Sequence, residues 1–152
     1  MKKRLNTQLA ASGAEFIVLG KLLLNEIEAY KTYVNFEGYD IVAVSPKNNK
    51  SCKIQIKSKN FKNSTSFYLN SDDKNATDFY IFCQTNIYEY INKVATFRED
   101  FEPKFFVINS NIVKKYKEKD NKNTDYLLLS SIPNIESYKD NWQQIKKFLN
   151  SK

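Results

Sequence analysis

Apolar positions near the start of the chain recur with helical spacing. Leu9, Phe16, Leu19, Leu23 and Ile27 stand three, four or seven residues apart, which places them on one face of a helix over residues 6–29 as its buried stripe. Gly13 and Gly20, two of the three glycines in the protein, fall inside this helix. Each costs about 1 kcal/mol relative to alanine there. They share a face, which predicts close approach of a sheet or a phosphate to the helix backbone.

The period then changes to two. Residues 31–36, 39–45 and 51–57 alternate apolar and polar positions, separated by turn-forming residues at 37–38 and 46–50. They predict a three-stranded antiparallel meander. A short strand over 67–69 follows a polar Asn/Ser-rich stretch. Near-continuous apolar runs at 78–84 and 104–110 predict strands buried on both faces. "NIVKKYKEK" reads as a short helix capped by Ser110 or Asn111, and "DYLLLSS" as a strand. "ESYKDNWQQIKKFLNSK" reads as an amphipathic helix with Tyr138, Trp142, Ile145 and Leu149 on its core face. The order predicts a mixed α/β or α+β fold in one domain spanning residues 1–152.

Composition narrows the chemistry. At 41% hydrophobic and 14% aromatic, the chain carries enough apolar surface for a packed core, which argues against disorder. A net charge of +7 suits a polyanionic partner such as DNA. An A/T-rich genome, which enriches Lys and Asn in any protein, produces the same charge without a partner. The absence of histidine and the presence of only Cys52 and Cys83 exclude zinc centres, His-based acid–base catalysis and Cys–His nucleophiles. The N-terminus starts like a signal peptide, but Glu15 and Lys21 interrupt its apolar run. No segment approaches the roughly 20 apolar residues of a membrane span. These features lead to the expectation of a soluble, cytoplasmic chain with reduced thiols and no membrane partner.

Carboxylates, amides and lysines remain to carry chemistry, and "GYDIVAVSPKNNKSCKIQIKSK" (38–59) concentrates them. With 46–50 as the turn, Asp40 is expected opposite Lys57 and Val42 opposite Gln55. Alternation puts Asp40, Gln55 and Lys57 on one face, and Ile41, Ile54 and Ile56 on the other. Such a trio suits phosphodiester hydrolysis. The Asp40 carboxylate, the Gln55 side-chain oxygen and the Ile56 backbone carbonyl offer oxygen ligands to Mg²⁺ or Mn²⁺. Lys57 is then placed to orient water and stabilise developing negative charge. The plainer reading is a half-exposed hairpin whose aspartate is an ordinary turn residue.

The helix "SGAEFIVLGKLLL" followed by "GYDIVAV…KIQIKSK" resembles the PD-(D/E)XK nuclease superfamily, closely over 12–59 and more loosely over "ATDFYIF", "PKFFVIN" and "SYKDNW". The resemblance implies a restriction-endonuclease-like core, with similarity to Holliday-junction resolvases and homing endonucleases. It implies a site of Glu15 on the first helix, Asp40 opening the second strand, and Gln55 with Lys57 on the third. Gln55 departs from the family's acid-x-Lys pattern, and certain intron-encoded homing endonucleases are similar in carrying Gln-x-Lys. Glu15 borders the expected buried stripe through Leu19 and Leu23, and would reach the metal through water or meet a lysine. Lys59 and Lys62 follow the catalytic strand and are candidate contacts to the DNA backbone. Asp72, Asp73 and Asp78 form a competing acidic cluster, read as two loop residues and a strand start.

The resulting expectation is a Mg²⁺-dependent endonuclease acting on DNA as a homodimer. Its alternatives are a non-catalytic nucleic-acid-binding module on the same fold and a protein-interaction domain.

Overall fold

Asn6 starts the first helix, its side chain accepting the Leu9 N–H at 3.0 Å. The computed structural model describes residues 6–33, 38–69 and 77–151. Helix α1 (Thr7–Leu24) stops five residues short of the expected end. Glu26 adopts φ 57°, while Glu26 N–H bonds Leu23 O at 2.9 Å and Ile27 N–H bonds Leu22 O at 3.0 Å. This pair of bonds is a Schellman C-cap. Glutamate stands where glycine or asparagine usually signals such a cap, so the sequence pattern ran through it.

The buried face of α1 also differs from expectation. Ala14, Val18 and Leu22 are buried, whereas Leu9, Phe16 and Leu23 are 70%, 53% and 51% exposed. Leu19 packs only partly, and Ile27 is buried beyond the helix end. Spacing of i, i+4, i+8 with a small alanine lets the helix lie close on the sheet, so the smaller residues go inward. Gly13 and Gly20 turn away from that contact. A Cβ at either would meet nothing within 4 Å, so the expected close approach does not occur. By length and composition α1 is apolar enough to cross a membrane, contrary to expectation, though its inner face belongs to the core.

Strands β1 (Glu28–Lys31), β2 (Ile41–Ser45) and β3 (Lys50–Phe61) form the antiparallel meander. The first begins three residues earlier than predicted; residues 34–37, with part of the predicted strand and turn, lie outside the described residues. β4 (Ser66–Tyr68) follows, then β5 (Phe79–Ile91), β6 (Val94–Phe97) and β7 (Lys104–Asn109). β3 pairs with β5 in parallel, and β5 pairs antiparallel with both β6 and β7. β5 is long enough for both because Asn86, at φ 59°, divides it. Its first half lies between β3 and β7, and its second half forms a hairpin with β6. Asn92 and Lys93 turn that hairpin with φ 49° and 64°. Asn-Lys is a weak form of the Asn-Gly signal, and β6 was not anticipated.

Helix α2 (Ser110–Tyr116) is capped by Asn109, one residue before the expected caps, through a 2.9 Å bond from Asn111 N–H. β8 (Glu118–Lys119) and β9 (Asp125–Leu128) join β4 in a second small sheet. Helix α3 (Gln143–Asn150) closes the chain. Trp142, Ile145 and Leu149 pack on the α1 side of the main sheet. Tyr138 sits in a separate 3₁₀ turn and packs on the other side, because Asp140 at φ 49° interrupts the predicted helix. The main sheet is therefore covered on both faces, by α1 and α3 around Ile41, Ile54 and Ile81, and by the small sheet and α2 around Phe82 and Ile108. The mixed α/β class holds.

Because both helix glycines face open space, Gly13→Ala and Gly20→Ala should each stabilise the protein by up to about 1 kcal/mol. Urea denaturation measures this; a loss of stability at either position would show that the helix backbone is covered.

Candidate active site

Asp40 is pinned from both sides by its backbone. Its N–H bonds Ile54 O at 2.8 Å, and its carbonyl accepts Thr32 N–H at 2.9 Å. Its side chain continues the ladder towards β3: Oδ2 accepts the Ile56 N–H at 2.7 Å and Gln55 Nε2 at 2.9 Å. In an extended strand the N–H and C=O of one residue point the same way. The Ile56 carbonyl therefore faces the Asp40 side of β3.

The register behind this contact is a two-residue correction of the predicted one. Ile41 pairs with Ile54 and Ser45 with Lys50, so Asp40 comes to Gln55 and Ile56 instead of standing opposite Lys57, and Val42 pairs with Lys53 instead of Gln55. The cause is a tighter turn. Asn49 takes φ 55° and the Asn48 side chain accepts Lys50 N–H at 3.2 Å, closing the hairpin over 46–49. A slip of two preserves side-chain parity, so the expected faces survive.

Glu15 reaches the same neighbourhood from α1 and forms an ion pair with Lys31 of β1, both side chains mostly buried. Burial raises the Asp40 carboxyl above its ordinary 3.8; the Ile56 N–H opposes this, the Glu15 carboxylate adds to it, and Lys57 and Lys31 pull it down. Asp40 thus stands in the field of Glu15, Lys57 and Lys31, with Gln55 bonded to it. Lys31 escaped the sequence reading, since a lone lysine in a strand gives no sign of a partner 16 residues upstream. Its ammonium also lies 5.6 Å from the Phe16 ring centroid and 5.7 Å from that of Tyr33.

The candidate DNA-contact lysines separate. Lys59 shares with Lys57 a groove of about 560 Å³ that runs between the start of α1 and β3. Lys62, beyond the strand, is ion-paired to Glu89 at 3.1 Å. Asp78 acts as a clamp at the start of β5, accepting Lys53 N–H at 2.7 Å while its own N–H bonds Lys53 O at 2.8 Å. Asp72 and Asp73 lie outside the described residues.

Among the described residues, no three of His, Cys, Asp and Glu gather as a metal cluster. The donors around Asp40 are two carboxylates, an amide and a backbone carbonyl, an oxygen set suited to a hard divalent cation. Ligation by Gln55 requires its amide to turn, since Nε2 now donates to Asp40. Burial raises both thiols, Cys83 to about 12 and Cys52 still further, so neither supplies a thiolate nucleophile.

Asp40→Asn should raise stability at neutral pH. The folded-state pKa of Asp40 lies above the unfolded one, so its ionisation weakens the wild type as pH rises through that interval. The melting-temperature advantage of the variant should shrink towards zero as pH falls below the unfolded value; a constant advantage at acid pH would contradict the shift. Gln55→Glu places a second acid against Asp40. It should destabilise the cation-free protein and tighten Mn²⁺ binding on the order of tenfold, by restoring an anionic ligand. Calorimetric titration checks this, and unchanged affinity would rule Gln55 out as a metal ligand.

In three dimensions the chain is similar to the bacterial homing endonuclease I-Ssp6803I, with a TM-score of 0.57, 17% sequence identity and 94% of each chain covered. No protein-family model matches the sequence, and no curated protein matches it. At that identity the likeness shows the fold: a helix, an antiparallel meander and further strands and helices arranged as in a nuclease of known structure.

Proposed function

We propose that the protein is a divalent-metal-dependent endonuclease that hydrolyses DNA phosphodiester bonds, a Gln-x-Lys variant of the PD-(D/E)XK type. The observation that carries this reading is the double hold on Asp40 Oδ2 by Ile56 N–H and Gln55 Nε2, with Glu15 and Lys57 in its field. The homing-endonuclease-like fold adds support.

Asp40, the Ile56 carbonyl and Gln55 would hold Mg²⁺ or Mn²⁺, with Glu15 completing the shell through water. When bound, the cation supplies a water of lowered pKa and neutralises charge on the scissile phosphate. The Ile56 N–H fixes the Asp40 carboxylate before substrate arrives, so the Gln55 amide is the group that must turn. Lys57, half-buried on the same face of β3, stabilises the negative charge that develops on the phosphoryl oxygens. Lys31 holds Glu15 until a cation competes for that carboxylate. One such site cuts one strand, so a double-strand break calls for a homodimer, each copy contributing one site. The net charge of +7 supplies affinity for the phosphate backbone.

One observation favours a second reading. Lys31 neutralises Glu15 and Gln55 is uncharged, which leaves Asp40 as the anionic ligand at hand and suits a module that binds nucleic acid without cutting it.

Single-turnover cleavage of supercoiled plasmid in Mg²⁺ or Mn²⁺ separates the two. The nuclease reading expects nicked product, and a loss of about 10²- to 10³-fold for Lys57→Ala with DNA binding retained. Salt-dependent binding with no cleavage in either metal, or wild-type cleavage by Lys57→Ala, would overturn it.

A further inference from the structure

The groove that Lys57 and Lys59 share has a second feature that phosphate chemistry does not use. β2 pairs with β3 only over 50–54, so the later part of β3 is left without that neighbour, and the groove runs along it beneath the start of α1. Tyr68 of β4 lines the groove and is 53% exposed. Its ring is held, with Lys59 Nζ 5.5 Å from its centroid and the Tyr126 ring 6.3 Å away. Gln8 of α1 and Asn60 of β3 add amide groups to the lining, which includes no carboxylate among the described residues. At about 560 Å³ the space is of the size that takes a small organic ring system with its substituents.

These features together suit one kind of occupant. An exposed, positioned aromatic ring beside a lysine is a stacking platform for a base, and amides can pair with the polar edge of that base. A base inside a duplex has both faces covered by its neighbours and cannot stack on a protein ring. Lys57, which also lines the groove, belongs to the proposed cleavage site. We infer that the groove takes an unpaired nucleotide next to the scissile phosphate, its base stacked on Tyr68, so that the enzyme prefers DNA locally open at the cut over intact duplex. This inference rests on the nuclease reading for its substrate, and it assigns Tyr68 as a specificity residue.

Fluorescence anisotropy in Ca²⁺ tests it with two oligonucleotides of equal length, one fully paired and one with a short central bubble carrying 2-aminopurine. The bubble should bind about tenfold tighter than the duplex, and 2-aminopurine emission should be quenched on binding. Tyr68→Ala should lower the bubble-to-duplex affinity ratio about tenfold, the scale of one lost base–aromatic stack. Tyr68→Phe, which keeps the ring, should restore both the ratio and the quenching. Equal affinity for the two DNAs, or quenching that persists in a folded Tyr68→Ala protein, overturns the inference. The nuclease reading fails separately, by the loss of plasmid cleavage in Mg²⁺ and Mn²⁺; cleavage that continues without a bubble preference sinks only the assignment of Tyr68.

Discussion

The contact of Asp40 Oδ2 with Ile56 N–H and Gln55 Nε2 is the constraint on which the site depends. It extends the β2–β3 ladder by one residue through a side chain, so strand register and carboxylate position become the same thing. It also directs the Ile56 carbonyl to the side from which a cation would approach. The cost is electrostatic. A half-buried carboxylate next to Glu15 has its pKa raised, and two lysines relieve it only in part. A carboxyl whose pKa is raised by burial is common at functional sites. Here the arrangement gathers oxygen donors from three separate parts of the chain.

The charges around Asp40 are balanced in pairs. Glu15 and Asp40 face Lys31 and Lys57, and in the proposed site Lys31 is the competitor that a metal would displace from Glu15. In the proposed site a divalent cation would add positive charge that an incoming phosphate offsets. Metal and DNA binding would then be coupled, each strengthening the other by the same factor, as linkage requires. With a neutral amide at position 55, the site would depend on that coupling more than one with three acids.

What the sequence revealed about the site followed from period two. Strand alternation keeps Asp40, Gln55 and Lys57 on one face under any even slip of register, so the faces survive the two-residue difference from the expected pairing. The register itself turned on Asn48 and Asn49, whose left-handed and side-chain-capped turn is not distinguishable by composition from a longer one. The α1 face was misread because apolar residues lie on more than one side of the helix. Size favoured Leu9, Phe16 and Leu23, while close packing selected Ala14, Val18 and Leu22. Glu26 and Lys93 hide a helix cap and a hairpin turn behind residues that seldom adopt positive φ. Lys31 was invisible for another reason: its role exists only through a tertiary ion pair.

The central claim is that one divalent cation is held between Asp40 and β3. Titrating Mn²⁺ into ¹⁵N-labelled protein and recording amide spectra locates the ion directly, since its unpaired electrons broaden nearby resonances. The account predicts that the amides of Asp40, Gln55, Ile56 and Lys57 broaden first, with Glu15 close behind, and that excess Mg²⁺ reverses the effect. Broadening centred elsewhere, or none at millimolar Mn²⁺, would contradict it.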